Sequence, residues 1–99
     1  GIMQHIEVLV TPSTIGSPKP VAPAVLYGPR PSFDPAPQRF TVPFNFNGAP
    51  TLSLPCGFTR DGLPLSIQFV GHQLNEPLLC RVGQAFEKAT DWHLHRPPI

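Results

Sequence analysis

The residues able to do chemistry in this chain are few and thinly spread. The densest group lies in FTVPFNFNG, Phe40–Gly48, where Phe44 and Phe46 alternate with Asn45 and Asn47 behind Thr41. Phenylalanine rings can wall an apolar pocket, and a few amides and a hydroxyl can orient a ligand inside it. The same residues also read as two core rings and two asparagines that satisfy backbone groups. From residue types alone both readings stand. Five serines (Ser13, Ser17, Ser32, Ser53 and Ser66) and two lysines (Lys19 and Lys88) are scattered. A hydroxyl nucleophile needs a base at hydrogen-bond reach, and no spacing here supplies one. Cys56 with His72 is a conceivable thiol and base, again without a spacing signal. His93 and His95 beside Asp91 have the types for a metal, but next to Arg96 and two prolines they read as polar surface, and no metal is expected. Cys56 and Cys80 form no Cys-x-x-Cys motif. They read as reduced, buried thiols acting as small apolar groups, which fits a reducing compartment and the cytoplasm as expected location.

The elements that must position these groups follow from patterning. Residues Ile6–Val10, IEVLV, form a β-rich run broken only by Glu7. Such a run fits a strand buried on both faces, as in a parallel or mixed sheet, and the chain offers too few partners to cover it. Of the 15 prolines, eight fall between Pro12 and Pro37. That stretch predicts an extended, polyproline-like loop. Its Val21, Val25, Leu26, Tyr27 and Phe33 favour a belt lying on a larger body over a free linker. Pro20 and Pro23 make one PxxP, without a basic residue at the useful flanking position.

Thr51–Cys56 and Leu65–Val70 both alternate with period two, and Asp61-Gly62 supplies the reversal, so the pair predicts an antiparallel hairpin. Pro55 and Pro64 would mark strand ends. Ser53, Ser66 and Gln68 point away from the Leu/Ile/Phe face, toward water or a polar cavity. Ahead of the hairpin, Thr41 would cap a helical turn with Pro43 in its first turn and Gly48 closing it. After it, Asn75–Thr90 predicts a helix with Asn75 as cap and Leu78, Leu79, Val82, Phe86 and Ala89 along one apolar face. Trp92 of the tail is expected to pack. The resulting division is an edge strand 1–11, a proline-rich belt 12–39, a short turn plus hairpin 40–71, a helix 75–91 and a tail 92–99.

Composition excludes some classes. Seven Lys+Arg stand against six Asp+Glu, for a formal charge of +1, and the basic residues form no stripe, so no nucleic-acid surface is expected. No apolar run approaches the roughly 20 residues of a membrane span.

Several motifs, in order, carry a family resemblance: Val8–Pro12 (VLVTP), the Thr-x-Pro-Phe-Asn-x-x-Gly-x-Pro run Thr41–Pro50, the Leu-Pro-Cys-Gly corner Leu54–Gly57, the Asp-Gly-Leu-Pro turn Asp61–Pro64, the Ile67–Gly71 strand, and the helix running into Thr90-Asp91-Trp92. In these the chain resembles the C-terminal end of amidase-signature enzymes. The resemblance implies an α/β class and a fragment of an α/β/α fold built on a mixed sheet of about ten or more strands, larger than most sheets. It also implies hydrolysis of a carboxylic amide to acid and ammonia or amine, with no cofactor. The family's nucleophilic serine, second serine and lysine belong to a Gly/Ser-rich stretch that has no counterpart here, so no catalytic residue is assigned and the chain alone is expected to be inactive. The turn Phe40–Gly48 corresponds to a region near the family's acyl channel, which makes Thr41, Phe44 and Asn45 the expected substrate-binding residues. The tRNA-dependent members usually carry an acidic residue just before the threonine. Here Gln38, Arg39 and Phe40 precede Thr41, which favours a stand-alone amidase. The implied partners are the remainder of the amidase, or another copy of this chain, and a small amide substrate. The alternative of a different class is a non-catalytic, proline-rich binding module that pairs through its hairpin.

Overall fold

In the computed structural model, which describes residues 1–26, 28 and 35–98, three strands form one antiparallel sheet. Strand β1 spans Val8–Pro12, β2 spans Thr51–Phe58 and β3 spans Pro64–Gly71, in the order β1-β3-β2. Helix α1 (Pro23–Leu26) lies in the proline-rich segment, α2 (Val42–Asn47) precedes β2, and α3 (Glu76–Ala89) follows β3. Short 3-10 turns occur at Ile2–Gln4, Ala36–Gln38 and Trp92–Leu94.

The hairpin forms because each strand alternates and the turn between them closes on itself. Gly62 takes φ +79, a conformation that side chains disfavour. Thr59 then anchors the reversal: its N–H donates to Leu63 O at 2.8 Å, and its hydroxyl accepts from Leu63 N–H at 3.0 Å. Both strands run past the expected ends. Pro55 lies inside β2 because Cys56 is an extra residue: Pro55 pairs with Ser66 and Gly57 with Leu65, a β-bulge that absorbs the missing proline donor.

Register assigns the faces, since directly paired residues point the same way and neighbours alternate. Leu52 with Phe69, Leu54 with Ile67 and Val10 with Phe69 share one face. Ser53 with Gln68, Thr11 with Gln68 and Leu9 with Val70 share the other. Helix α3 covers the first face. Phe86 meets Phe69 edge-on at 5.7 Å between ring centroids, and Leu79 lies over Gly71. Gly83 makes the closest approach: a Cβ built on it would be 2.5 Å from Leu52 Cδ2. Glycine costs about 1 kcal/mol in a helix interior, and here it lets the helix seat directly on β2. Phe58, Trp92 and His95 then gather at the far end of β2, with Phe58 5.3 Å from His95 and 6.2 Å from Trp92. His95 Nδ1 donates to Asp91 O at 3.1 Å, which fixes the ring against that cluster.

Several expectations need correction. The first strand lies at the sheet edge as expected, but it is antiparallel and half-covered rather than buried on both faces: Val10 is 51% exposed. A five-residue run without alternation carries no signal of direction, and one neighbouring strand cannot bury both its faces. The proline-rich segment is not uniformly extended, because proline is well tolerated in the first turn of a helix and starts α1 at Pro23. That helix also ends any polyproline geometry at the second proline of the PxxP. Neither helix is capped by its expected side chain. Thr41 (φ −116, ψ −44) and Asn75 (φ −110, ψ 38) lack the extended backbone that brings a cap over the second or third amide. Cys80 is exposed and Cys56 half-buried, so neither thiol is a core residue. Ala89, placed on the apolar stripe, is exposed. Tyr27, Arg30, Ser32 and Phe33 lie outside the described residues.

Only Phe69, Val70 and Leu79 are buried apolar side chains among the described residues. The accessible surface is 7957 Å² for 10.8 kDa, where a compact protein of that mass exposes about 5,500 Å². The radius of gyration is 16.0 Å, against about 13 Å for a compact domain of this length. Phe46, Leu74, Ile2 and Leu94 are between 66% and 92% exposed.

Candidate functional site

The face opposite α3 is mixed: beside Leu9 and Val70 it collects the polar groups that sequence alternation placed off the apolar side. Gln68 lies at its centre, 3% exposed. Its Nε2 donates to Phe40 O at 2.8 Å and to Thr11 Oγ1 at 3.2 Å. Ser13, 7% exposed, donates from Oγ to Ser53 Oγ at 3.3 Å, while its N–H donates to Ser66 O. Burying these groups is tolerable because each has a partner. The result joins β1, β2 and β3 to the segment that leads into α2.

Helix α2 is tethered over this face. Pro43 occupies its first turn, and Gly48 ends it in the left-handed conformation at φ +71. At its start, the Phe44 and Asn45 N–H groups donate to Thr41 O, both at 3.2 Å. At its end, Gln73 Nε2 donates to Asn47 O at 2.6 Å, and Asn47 Oδ1 accepts from Ala49 N–H at 2.9 Å. Asn47 is thus spent on its own turn.

The three expected substrate-binding residues fall on one short stretch with different surroundings. Thr41 is half-buried and its hydroxyl donates to Gln38 O at 3.2 Å. Phe44 is half-buried and Asn45 is exposed. Phe46, the neighbouring ring, is 92% exposed and so is no core residue of this chain. Sequence reasoning missed Gln68 and Gln73 as partners of this turn. Period-two alternation put Gln68 on the polar face, but nothing in the pattern says which main-chain carbonyl lies above it.

On the sheet face that carries Val10 and Ile67, an open groove of about 390 Å³ is lined by Val10, Pro12, Cys56, Leu65 and Ile67 among others, with no residue of α3 in its wall. It is the part of the apolar face that α3 leaves uncovered.

The catalytic pairings considered from sequence do not assemble. Cys56 lies opposite Leu65 and Ser66, whereas His72 follows the far end of β3. Six residues of strand separate them, about 20 Å. His72 Nε2 donates instead to Ile6 O at 2.9 Å. The Ser13–Ser53 pair has no titratable partner among the described residues, and a hydroxyl without a base is a poor nucleophile. Among the described residues no three His, Cys, Asp or Glu side chains gather as a metal site. No helix is long and apolar enough to cross a membrane among the described residues.

Comparison with known proteins adds a lineage. The family model described as Amidase matches residues 1–80. The chain is 43% identical to the A subunit of the glutamyl-tRNA(Gln) amidotransferase from Synechococcus sp. (strain JA-2-3B'a(2-13)), over 97% of its own length and 18% of that protein's. It is 53% identical to the corresponding subunit from Microcystis aeruginosa, over 58% of this chain and 12% of the relative. A Mycobacterium bovis protein that carries the name amidase AmiD is 48% identical over 60% of this chain and 12% of its own length. The chain therefore spans less than a fifth of the length of these relatives. No solved structure matches it.

Proposed function

The chain belongs to the amidase family, and on that premise we propose that it is the C-terminal part of an amidase domain, inactive alone, that completes the enzyme's sheet and lines its pocket. The complete enzyme would hydrolyse a carboxylic amide to acid and ammonia or amine. The observation that carries this reading is the exposed apolar surface. Three buried apolar side chains among the described residues and an area of 7957 Å² fit a piece shaped to be covered. The open groove lined by Val10, Cys56 and Ile67 and the outer edges of β1 and β2, unpaired among the described residues, are where the remainder of the amidase would join.

The pocket reading concerns Thr41, Phe44 and Asn45. A half-buried hydroxyl, a half-buried ring and an exposed amide on one short turn form the mixed surface that small-molecule sites use. Gln38, Arg39 and Phe40 ahead of Thr41 lack the acidic residue that the family resemblance implies for a tRNA-dependent member, which favours a stand-alone amidase, whereas the likeness to amidotransferase A subunits points the other way. Catalysis would come from residues of the remaining polypeptide, with Ser13 and Ser53 serving as a structural hydrogen bond.

Complementation tests the proposal. An amidase cut before the position equivalent to Gly1 is assayed for ammonia release from a panel of simple carboxamides, with and without this chain. Neither part should turn over alone, and the mixture should. Turnover by the chain alone, or full activity of the truncated enzyme without it, overturns the reading.

A further inference from the structure

We propose that Gln68 and Gln73 are positioning residues that clamp the two ends of α2, and through it set the shape of the pocket that Thr41, Phe44 and Asn45 line. The second half of this inference rests on the pocket reading above. The clamp itself rests on geometry. Gln68 Nε2 holds the carbonyl of Phe40, just before the helix, at 2.8 Å. Gln73 Nε2 holds the carbonyl of Asn47, the last helical residue, at 2.6 Å. Gln68 lies in β3 and Gln73 in the turn that follows it, so the two jaws are five residues apart on one continuous segment.

Three features show that the clamp bears the burden of placing α2. The helix has six residues, too short to persist without outside support. Among the described residues its backbone comes less close to any strand than that of α3 does, and the two glutamine hydrogen bonds tie both of its ends to β3 and the turn after it. Backbone strain lies beside the second jaw. Leu74, which follows Gln73, has φ +62 and is 90% exposed. A leucine in the left-handed region without packing in return is a stored cost. The turn is closed by Asn75 N–H donating to His72 O at 3.1 Å, and it holds Gln73 under α2. Gly48 closes the helix beside this jaw in the left-handed conformation, φ +71, and its Cβ position stands at an ordinary contact distance of 3.5 Å from Gln73 Nε2.

Gln68 is buried and Gln73 exposed, so the two jaws can be removed with different risks. The test uses the complete amidase containing this segment, with Gln68→Met and Gln73→Met, which keep length and remove the donor. Thr41→Ala and Phe44→Ala serve as direct probes of the pocket. Amide hydrogen exchange at Phe44 and Asn45 should quicken by about tenfold or more in each glutamine variant, with α3 unchanged. KM across a panel of linear carboxamides should rise several-fold in the same variants while kcat stays within about twofold. Exchange at α2 that stays at the wild-type rate in both variants overturns the clamp. If exchange quickens but KM moves in none of the four variants, α2 is clamped without shaping a pocket, and both the specificity claim and the pocket reading fall. If KM moves only in Thr41→Ala and Phe44→Ala, the pocket reading stands and the positioning role is overturned. Should Gln68→Met fail to fold, Gln73→Met decides, because it alters only an exposed side chain.

Discussion

The seat of α3 on the sheet makes a sharp prediction at Gly83. Replacing it with alanine ought to strengthen the helix by about 1 kcal/mol, from intrinsic propensity alone. The added Cβ, however, would stand 2.5 Å from Leu52 Cδ2, about 1 Å inside the normal separation of two carbons. Relieving that contact means turning Leu52 out of its place or lifting α3, an overpacking cost of about 1–3 kcal/mol. Gly83→Ala is therefore expected to destabilise α3 by up to about 2 kcal/mol net, the clash outweighing the propensity gain. In a Leu52→Ala background the obstructing atom is gone, and the same substitution should become stabilising by about 1 kcal/mol. The coupling between the two sites is then about 1–3 kcal/mol, within the range of residues in direct contact. Native-state hydrogen exchange of the α3 amides, measured in the assembled amidase, reports this local free energy. If Gly83→Ala stabilises α3 equally with Leu52 present and absent, the helix is not seated on Leu52, and the packing described above is wrong.

Phe69→Ala removes a ring that is 6% exposed and in edge contact with Phe86. It should cost about 3–5 kcal/mol in the same exchange measurement. Leu74→Gly should stabilise by about 0.5 kcal/mol, the relief of the left-handed backbone exceeding glycine's added entropy cost, as read from thermal unfolding. Iodoacetamide should label exposed Cys80 rapidly in the chain alone and Cys56, which lines the open groove with Val10 and Ile67, more slowly. In the assembled amidase Cys56 should become protected, and labelling at an undiminished rate there would show that the groove stays open.

Much of the hairpin is legible in the sequence because its signals are local. Thr51–Cys56 and Leu65–Val70 alternate cleanly, and Asp61-Gly62 supplies the positive φ that the reversal needs. The apolar stripe of α3 is legible for the same reason, through Leu79 and Phe86. What is not legible depends on distant partners. The direction of β1 is set by β3, some sixty residues away in sequence, and its own five residues contain no trace of that choice. The bulge at Cys56 follows from a proline inside a strand, where proline by itself suggests a strand end. Gly83 is a weak helix former within a helical pattern, and an interior glycine of that kind is itself a sign of close approach. The residue types of the Phe40–Gly48 turn are legible, but its attachment is not. Thr41 and Asn75 have good capping chemistry and unsuitable backbone angles, and the carbonyls that Gln68 and Gln73 hold are invisible to any pattern of side chains.

Native mass spectrometry of this chain mixed with an amidase truncated before the position equivalent to Gly1 decides whether the chain is a missing piece of such an enzyme. A complex holding one copy of each is expected. A chain that ignores the truncated enzyme and stays a cooperatively melting monomer would contradict it.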